Sequence, residues 1–270
     1  MKKIDPHYFG PWAVITGASS GIGREFARQL AANGIHVVLI ARRTELLNQL
    51  GAELQQRYGI DYRVVTADLA HADSIDVVSD ATADLDVGLF VGSAGTGSPA
   101  AFLDETPAKQ SDVIQVNISA QLALTRHFAE RLVKRGRGGI EMVSAMGADL
   151  GLPFMANESG TKAYLLMLGR ALNWELKSKG VHVSVLLPSP TDTPIIEAFG
   201  FSKDSMPMAP MSVERCVDEG LMALRKNQSS VLTGRMFRVL SALLPAPLMR
   251  AVNARMLGDA ARRRIELGLV

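Results

Sequence analysis

The chain has 270 residues, and 29 Lys and Arg against 27 Asp and Glu leave a net charge of +2. That near-balance excludes a protein that holds nucleic acid through its overall field, and 47% hydrophobic with 21% charged residues excludes disorder. A single cysteine, Cys216, excludes an intrachain disulfide and a cysteine-built zinc site, and no metal site is expected.

Strand-like and helix-like segments alternate along the chain. Trp12–Thr16 reads as a short buried strand, followed by a glycine turn and a helix over about 23–33. A second strand at 35–40 leads into a helix over 45–58, and a third, Tyr62–Thr66, into a helix over about 72–83. A fourth strand at 87–91 precedes a long helical stretch over about 109–134. A fifth at 139–143 precedes a long helix over about 156–178, and Val181–Leu187 is a sixth. β-Branched runs separated by helices imply a parallel sheet covered on both faces, hence an α/β chain. The expectation is a single domain over 1–270 with a helical extension from about 195, built of several short helices. The first residues lack the apolar core of a secretion signal, and no apolar run reaches the roughly 18 residues of a membrane span, so a cytoplasmic location is expected.

Between the first strand and its helix lies Thr16-Gly17-Ala18-Ser19-Ser20-Gly21-Ile22-Gly23. Glycines let the backbone turn tightly and approach a pyrophosphate, and the helix start offers free N–H groups to phosphate oxygens. Gly17, Ser19, Ser20, Gly21, Ile22 and Gly23 are therefore expected to bind a dinucleotide. A carboxylate at the end of the second strand would hold the ribose of NAD, but this strand ends Ala41-Arg42-Arg43. Arginine grips phosphate with two donors, which favours NADP(H) held by Arg42 and Arg43; solvated helix-start arginines are the alternative. Asp68 and Leu69, after the third strand, suit the adenine edge, with Asp68 as a helix cap the competing reading.

These motifs resemble the short-chain dehydrogenase/reductase family over roughly 10–195. The resemblance implies a Rossmann-like doubly wound parallel sheet with helices on both faces, and hydride transfer between NAD(P)H and a carbonyl or alcohol. It implies a homodimer or homotetramer assembled through two long helices. Asn117, in Val116-Asn117-Ile118-Ser119, matches the family's active-site asparagine and is given a part in a water relay. Lys162 matches the lysine on the nicotinamide ribose, and Ala94 and Gly95 fall in the cofactor-facing loop. Thr193, in Pro188-Ser-Pro-Thr-Asp-Thr193-Pro, would bond the carboxamide. The family signature of tyrosine, three residues and lysine is altered, because four residues before Lys162 stands Glu158. The family's catalytic serine aligns with Ala145. Ser144, one residue earlier, is a substitute only if the strand end twists. Tyr164 lies about 240° of helical rotation beyond Glu158, so it is expected to face away from Lys162, in the core. Where the family commonly has two asparagines stand Gly92 and Ser93, so support for the sheet there must come from elsewhere.

An ordinary glutamate is ionised at neutral pH, and a Lys162 cation should lower its pKa further. Glu158 is therefore expected to be a base. Three functions follow: an NADP(H) oxidoreductase with an altered proton path through Glu158; a silent NADP(H)-binding or partner subunit; and non-redox dehydration or isomerisation with Glu158 as base. Ile195, Ile196, Phe199, Phe201, Met206, Met208 and Met211 read as an apolar lid over a hydrophobic substrate, or as packing on the protein itself. The tail from Arg235 mixes seven arginines with Leu, Val and Met. It reads either as a basic amphipathic surface for peripheral membrane contact or as an extension packed on the domain with solvated arginines.

Overall fold

The computed structural model describes residues 4–201, 206 and 208–268. Helix α1 (Pro6–Phe9) leads into a seven-stranded parallel sheet ordered β3-β2-β1-β4-β5-β6-β7. The strands are β1 (Trp12–Thr16), β2 (His36–Ala41), β3 (Tyr62–Thr66), β4 (Val87–Gly92), β5 (Gly138–Val143), β6 (Val181–Leu187) and β7 (Val231–Leu232). Helices α2 (Gly21–Ala32), α3 (Thr44–Tyr58) and α9 (Val213–Arg225) are bound to one apolar cluster with Ile15, Leu39 and Leu89. Helices α4 (Ser74–Thr82), α6 (Gln121–Arg135) and α7 (Ala156–Lys177) are bound to another with Val14, Phe90 and Ile140. Alternate residues of β1 thus serve opposite faces, as a sheet buried on both sides requires. This is a Rossmann-like doubly wound sheet. Its order reverses between β1 and β4, and ligands of such sheets bind at the strand C-termini beside that reversal.

Three departures from the expected elements have local causes. The long stretch ending at Arg135 is α5 (Pro107–Ile114), a π-helical turn (Gln115–Ala120) and then α6. The extension ends in one long helix, α11 (Ala246–Glu266), rather than several short ones; Pro245 caps it and Pro247 lies in its first turn, where a missing N–H costs nothing. The two-residue β7 is too short for a periodic signal. Helices α8 (Ile195–Ala198) and α10 (Arg235–Leu243) complete the extension. The support that Gly92 and Ser93 do not supply comes from Thr16, whose Oγ1 accepts from Ser93 N and Ala94 N at 3.0 Å. Gln121 Nε2 donates to Ala94 O at 2.7 Å.

Glu141 on β5 is fully buried, and Ser184 of β6 lies in register with it. Neither carboxylate oxygen nor the Ser184 hydroxyl has a hydrogen-bond partner among the described residues. Burial pushes the Glu141 pKa well above the ordinary carboxylate value. The folded state therefore keeps a proton that the unfolded chain releases above about pH 4 to 5. Stability from this group is complete in acid and is lost as pH rises through the folded pKa, with a limiting slope of about 1.4 kcal/mol per pH unit. Glu141→Gln is expected to flatten the fall in urea midpoint between pH 5 and pH 8.

Candidate active site

A cleft of about 1000 Å³ opens along the C-terminal ends of β1, β2, β4, β5 and β6, large enough for a dinucleotide with a small molecule beside it. Gly17, Ser19, Ser20, Gly21, Ile22 and Gly23 line it. At Gly23 an added Cβ would stand 2.4 Å from Gly17 O. Only glycine lets α2 start this close to β1, leaving the helix N–H groups bare toward the cleft. This cradle fits a pyrophosphate, so the residues present fit a nicotinamide dinucleotide.

Arg42, Arg43, Asp68 and Leu69 line the neighbouring end. Arg43 Nη2 donates to Ser19 Oγ at 2.9 Å, tying the loop after β2 to the glycine turn. Arg42 Nη1 lies 3.9 Å from Asp68 Oδ2, both groups being solvent-accessible. Asp68 Oδ1 also accepts from Ala70 N at 3.1 Å, so it caps its own turn as well as facing the cleft. Ala94, Gly95 and Thr193 line the opposite end.

Glu158 and Lys162 share one face of the first turns of α7, as residues four apart do. Lys162 is buried; its Nζ donates to Val143 O at 3.3 Å and passes over Gly95, where an added Cβ would come within 2.9 Å of it. Glu158 keeps part of its surface on the cleft, but its Oε2 is inaccessible and has no hydrogen-bond partner among the described residues. That oxygen occupies the space a Cβ would take at Gly97, which has a φ of +151°. Burial raises the Glu158 pKa to about 7, against the lowering effect of Lys162, and Glu105 raises it further. Burial likewise lowers the pKa of Lys162. The expectation of a Glu158 pKa depressed by its lysine is thus overturned: no ion pair closes between the two among the described residues, and lost hydration outweighs attraction. An acid in a helix's first turn ordinarily complements the helix dipole from solvent; this one is turned inward. Glu105, paired with Lys109 at 3.3 Å, is a neighbour that chain order did not reveal.

Asn117 is the one expected site residue that does not line the cleft. It is fully buried in the π turn. Its Oδ1 accepts from Thr96 N at 2.8 Å, and its Nδ2 donates to Thr96 O at 2.8 Å and Thr161 Oγ1 at 3.0 Å. With both amide protons committed it fastens the loop after β4 to α7, and it has none left for a water relay. Asn117→Ala removes two part-buried bonds to the Thr96 backbone and the buried bond to Thr161, whose hydroxyl keeps its bond to Glu158 O, and is expected to cost about 1–3 kcal/mol in urea unfolding. Ser144 lines the cleft, but its buried hydroxyl donates to Lys162 O at 2.8 Å. Ala145 offers only a methyl. Tyr164 stays out of the cleft as its rotation implied, but it is more than a third exposed rather than core.

Of the apolar lid, Ile195, Ile196, Phe199, Phe201 and Met206 face the cleft. Met208 and Met211 do not line it; Met211 bridges to Thr191 and packs on the core. Residues 202–205 and 207 of the lid lie outside the described residues. The far wall comes from α11 through Asn253, Met256 and Leu257, a contribution without a local sequence signal. The tail arginines are not uniformly solvated. Arg264 is buried and donates to Ala198 O, and Arg238 pairs with Glu219 at 2.7 Å.

A family model described as short chain dehydrogenase matches residues 11–201. The chain belongs to that family, whose members are oxidoreductases that bind a nicotinamide cofactor and act on small molecules. A very-long-chain 3-oxoacyl-CoA reductase of Laccaria bicolor is 36% identical over 181 residues, 66% of this chain and 54% of that protein, so the chain matches only about half of that relative. A 7beta-hydroxysteroid dehydrogenase of Collinsella aerofaciens is 30% identical over 230 residues, 84% of this chain and 87% of that protein. A short-chain dehydrogenase from Sphingobium yanoikuyae, solved in complex with NADPH, superposes with a TM-score of 0.78 at 28% identity, covering 92% of this chain and 94% of that one. No described helix is long and apolar enough to cross a membrane.

Proposed function

We propose that this chain is an NADP(H)-dependent oxidoreductase for an apolar carbonyl or alcohol substrate, with Glu158 as the acid/base in the place where its family carries a tyrosine. The observation that carries this reading is Glu158 itself: it lines the cleft four residues before Lys162, one of its carboxyl oxygens has no hydrogen-bond partner among the described residues, and burial raises its pKa to about 7. An acid with a pKa near the working pH can both give and take a proton, as general acid–base catalysis asks. A nicotinamide cofactor held along this cleft would supply the hydride to the carbonyl carbon. Glu158 gives its proton to the carbonyl oxygen, and in the reverse direction takes the alcohol proton. Lys162 holds the ribose and biases Glu158 toward release. Ser144 and Asn117 position the site by fastening the start of α7 to β5 and to the loop after β4. Arg42 and Arg43, which line that end of the cleft, would hold the 2′-phosphate. Apolar lid side chains and Leu257 favour a greasy substrate, in keeping with the steroid and acyl-thioester names of the relatives. The exposed Leu122, Met167 and Trp174 on α6 and α7 support assembly of copies through those helices.

A second reading is cofactor binding without turnover, favoured by the missing hydroxyl at Ala145 and the committed proton of Ser144. Mixing the protein with NADPH and a panel of ketosteroids and 3-oxoacyl thioesters separates the two. Cofactor oxidation that is lost in Glu158→Gln supports the enzyme, whereas tight NADPH binding with no turnover on any substrate supports the silent subunit. Substrate conversion without net cofactor oxidation points to non-redox chemistry instead.

A further inference from the structure

Helices α10 and α11 meet at an elbow, Leu244 and Pro245, where every residue from 241 to 248 is exposed. On α10, Met236, Val239 and Leu243 recur at i, i+3 and i+7 and so share one face; each is at least half exposed, Leu243 to 74%. On α11, Leu248 and Val252 are one turn apart and at least half exposed. The opposite faces are anchored, by buried Phe237 on α10 and by Leu257 on α11, which lines the cleft. Large apolar side chains left this exposed on two successive helices mark an interaction site.

Charge selects the occupant. No Asp or Glu occurs between Glu219 and Asp259, and the apolar elbow is flanked by Arg235, Arg238, Arg250 and Arg255. Arg235, Arg250 and Arg255 form no ion pair among the described residues. A second copy in a twofold contact would set these arginines against their own counterparts. Arg238 is held by Glu219 and Arg250 donates to Leu150 O, so Arg235 and Arg255 are the exposed cations of the flank without a polar partner among the described residues, and apolar side chains beside them suit the boundary between acyl chains and anionic headgroups. We infer that the α10–α11 elbow docks on the surface of an anionic phospholipid bilayer, its leucines entering the acyl boundary and its arginines meeting the phosphates. One helix, α11, then carries both the docking face and a wall of the cleft. The docking itself does not depend on the chemistry at Glu158.

Full-length protein sedimented with vesicles tests this without any turnover. On phosphatidylcholine containing one third phosphatidylglycerol, the wild type is expected to bind at least about tenfold more tightly than on phosphatidylcholine alone, each arginine at the surface being worth about fivefold. Leu243→Asp with Leu248→Asp should abolish binding, and Arg235→Glu with Arg255→Glu should remove the preference for anionic vesicles. Circular dichroism confirms that the variants fold; Leu243→Ser with Leu248→Ser is the milder pair if the aspartates do not. Folded wild type that stays in the supernatant on anionic vesicles overturns the proposal. Equal sedimentation of wild type and the leucine variants overturns it as well. A wild-type dimer that ignores vesicles and dissociates in the leucine variants would assign the face to a second copy.

Discussion

Replacing Glu158 with glutamine is expected to lower carbonyl reduction by about 10²- to 10⁴-fold, the range of a lost general acid, while NADPH affinity stays nearly unchanged. Glutamine keeps the shape that fills the space above Gly97 but has no proton to give. The wild-type pH profile carries the sign. With its pKa raised to about 7 by burial, Glu158 is protonated below neutrality and ionised above it. Reduction, which consumes the proton, should be level in mild acid and fall about tenfold per pH unit above neutrality. Oxidation of the alcohol should rise with pH and level off above the same point. Both limbs should vanish from the residual activity of Glu158→Gln. A glutamine variant that retains full rate and the wild-type profile would mean that the proton comes from another group.

Arg42→Ala with Arg43→Ala should reduce discrimination between NADPH and NADH by about 10²- to 10⁴-fold, since two charge-assisted contacts to a phosphate at about 1.5–3 kcal/mol each are lost together. The two single variants should differ. Loss of Arg42 leaves the Asp68 carboxylate, which lines the same end of the cleft, without its cation, so it would repel a phosphate bound there. Loss of Arg43 also frees Ser19 Oγ in the glycine turn, so it should weaken NADH somewhat as well as NADPH. Dissociation constants for both cofactors, measured by fluorescence titration, resolve these effects. A wild type that binds NADH as tightly as NADPH contradicts the assignment.

Much of the scaffold was legible because its signals are local. The β-branched runs of β3 and β6 end where turn residues interrupt them, and the glycine turn announces the start of α2. Gly17, Ser19, Ser20, Gly21, Ile22, Gly23, Arg42, Arg43 and Lys162 reach one cleft because they sit at strand ends or in the opening turns of helices, where topology alone brings them together. What stayed hidden depends on burial or on distant contacts. Glu158's pKa turns on the loss of water around one oxygen, which spacing to Lys162 cannot convey. The Asn117 amide is spent on Thr96 and Thr161, which are far away in sequence. The wall from α11 comes from a segment whose prolines read as breakers until their place at its start is known.

The π turn between α5 and α6 has a consequence for how this region can change. Upstream, Lys109, Asp112 and Val113 line the cleft, and Val116 within the turn touches both the cleft and the sheet-backing cluster; downstream, Leu124, Phe128 and Leu132 back the sheet. A regular helix would couple those two groups through a single angular period, but the wider i to i+5 turn slips the phase between them. The cleft-facing half can therefore diversify with the ligand while the sheet-facing half keeps its own spacing, so new specificity need not disturb the packing beneath it.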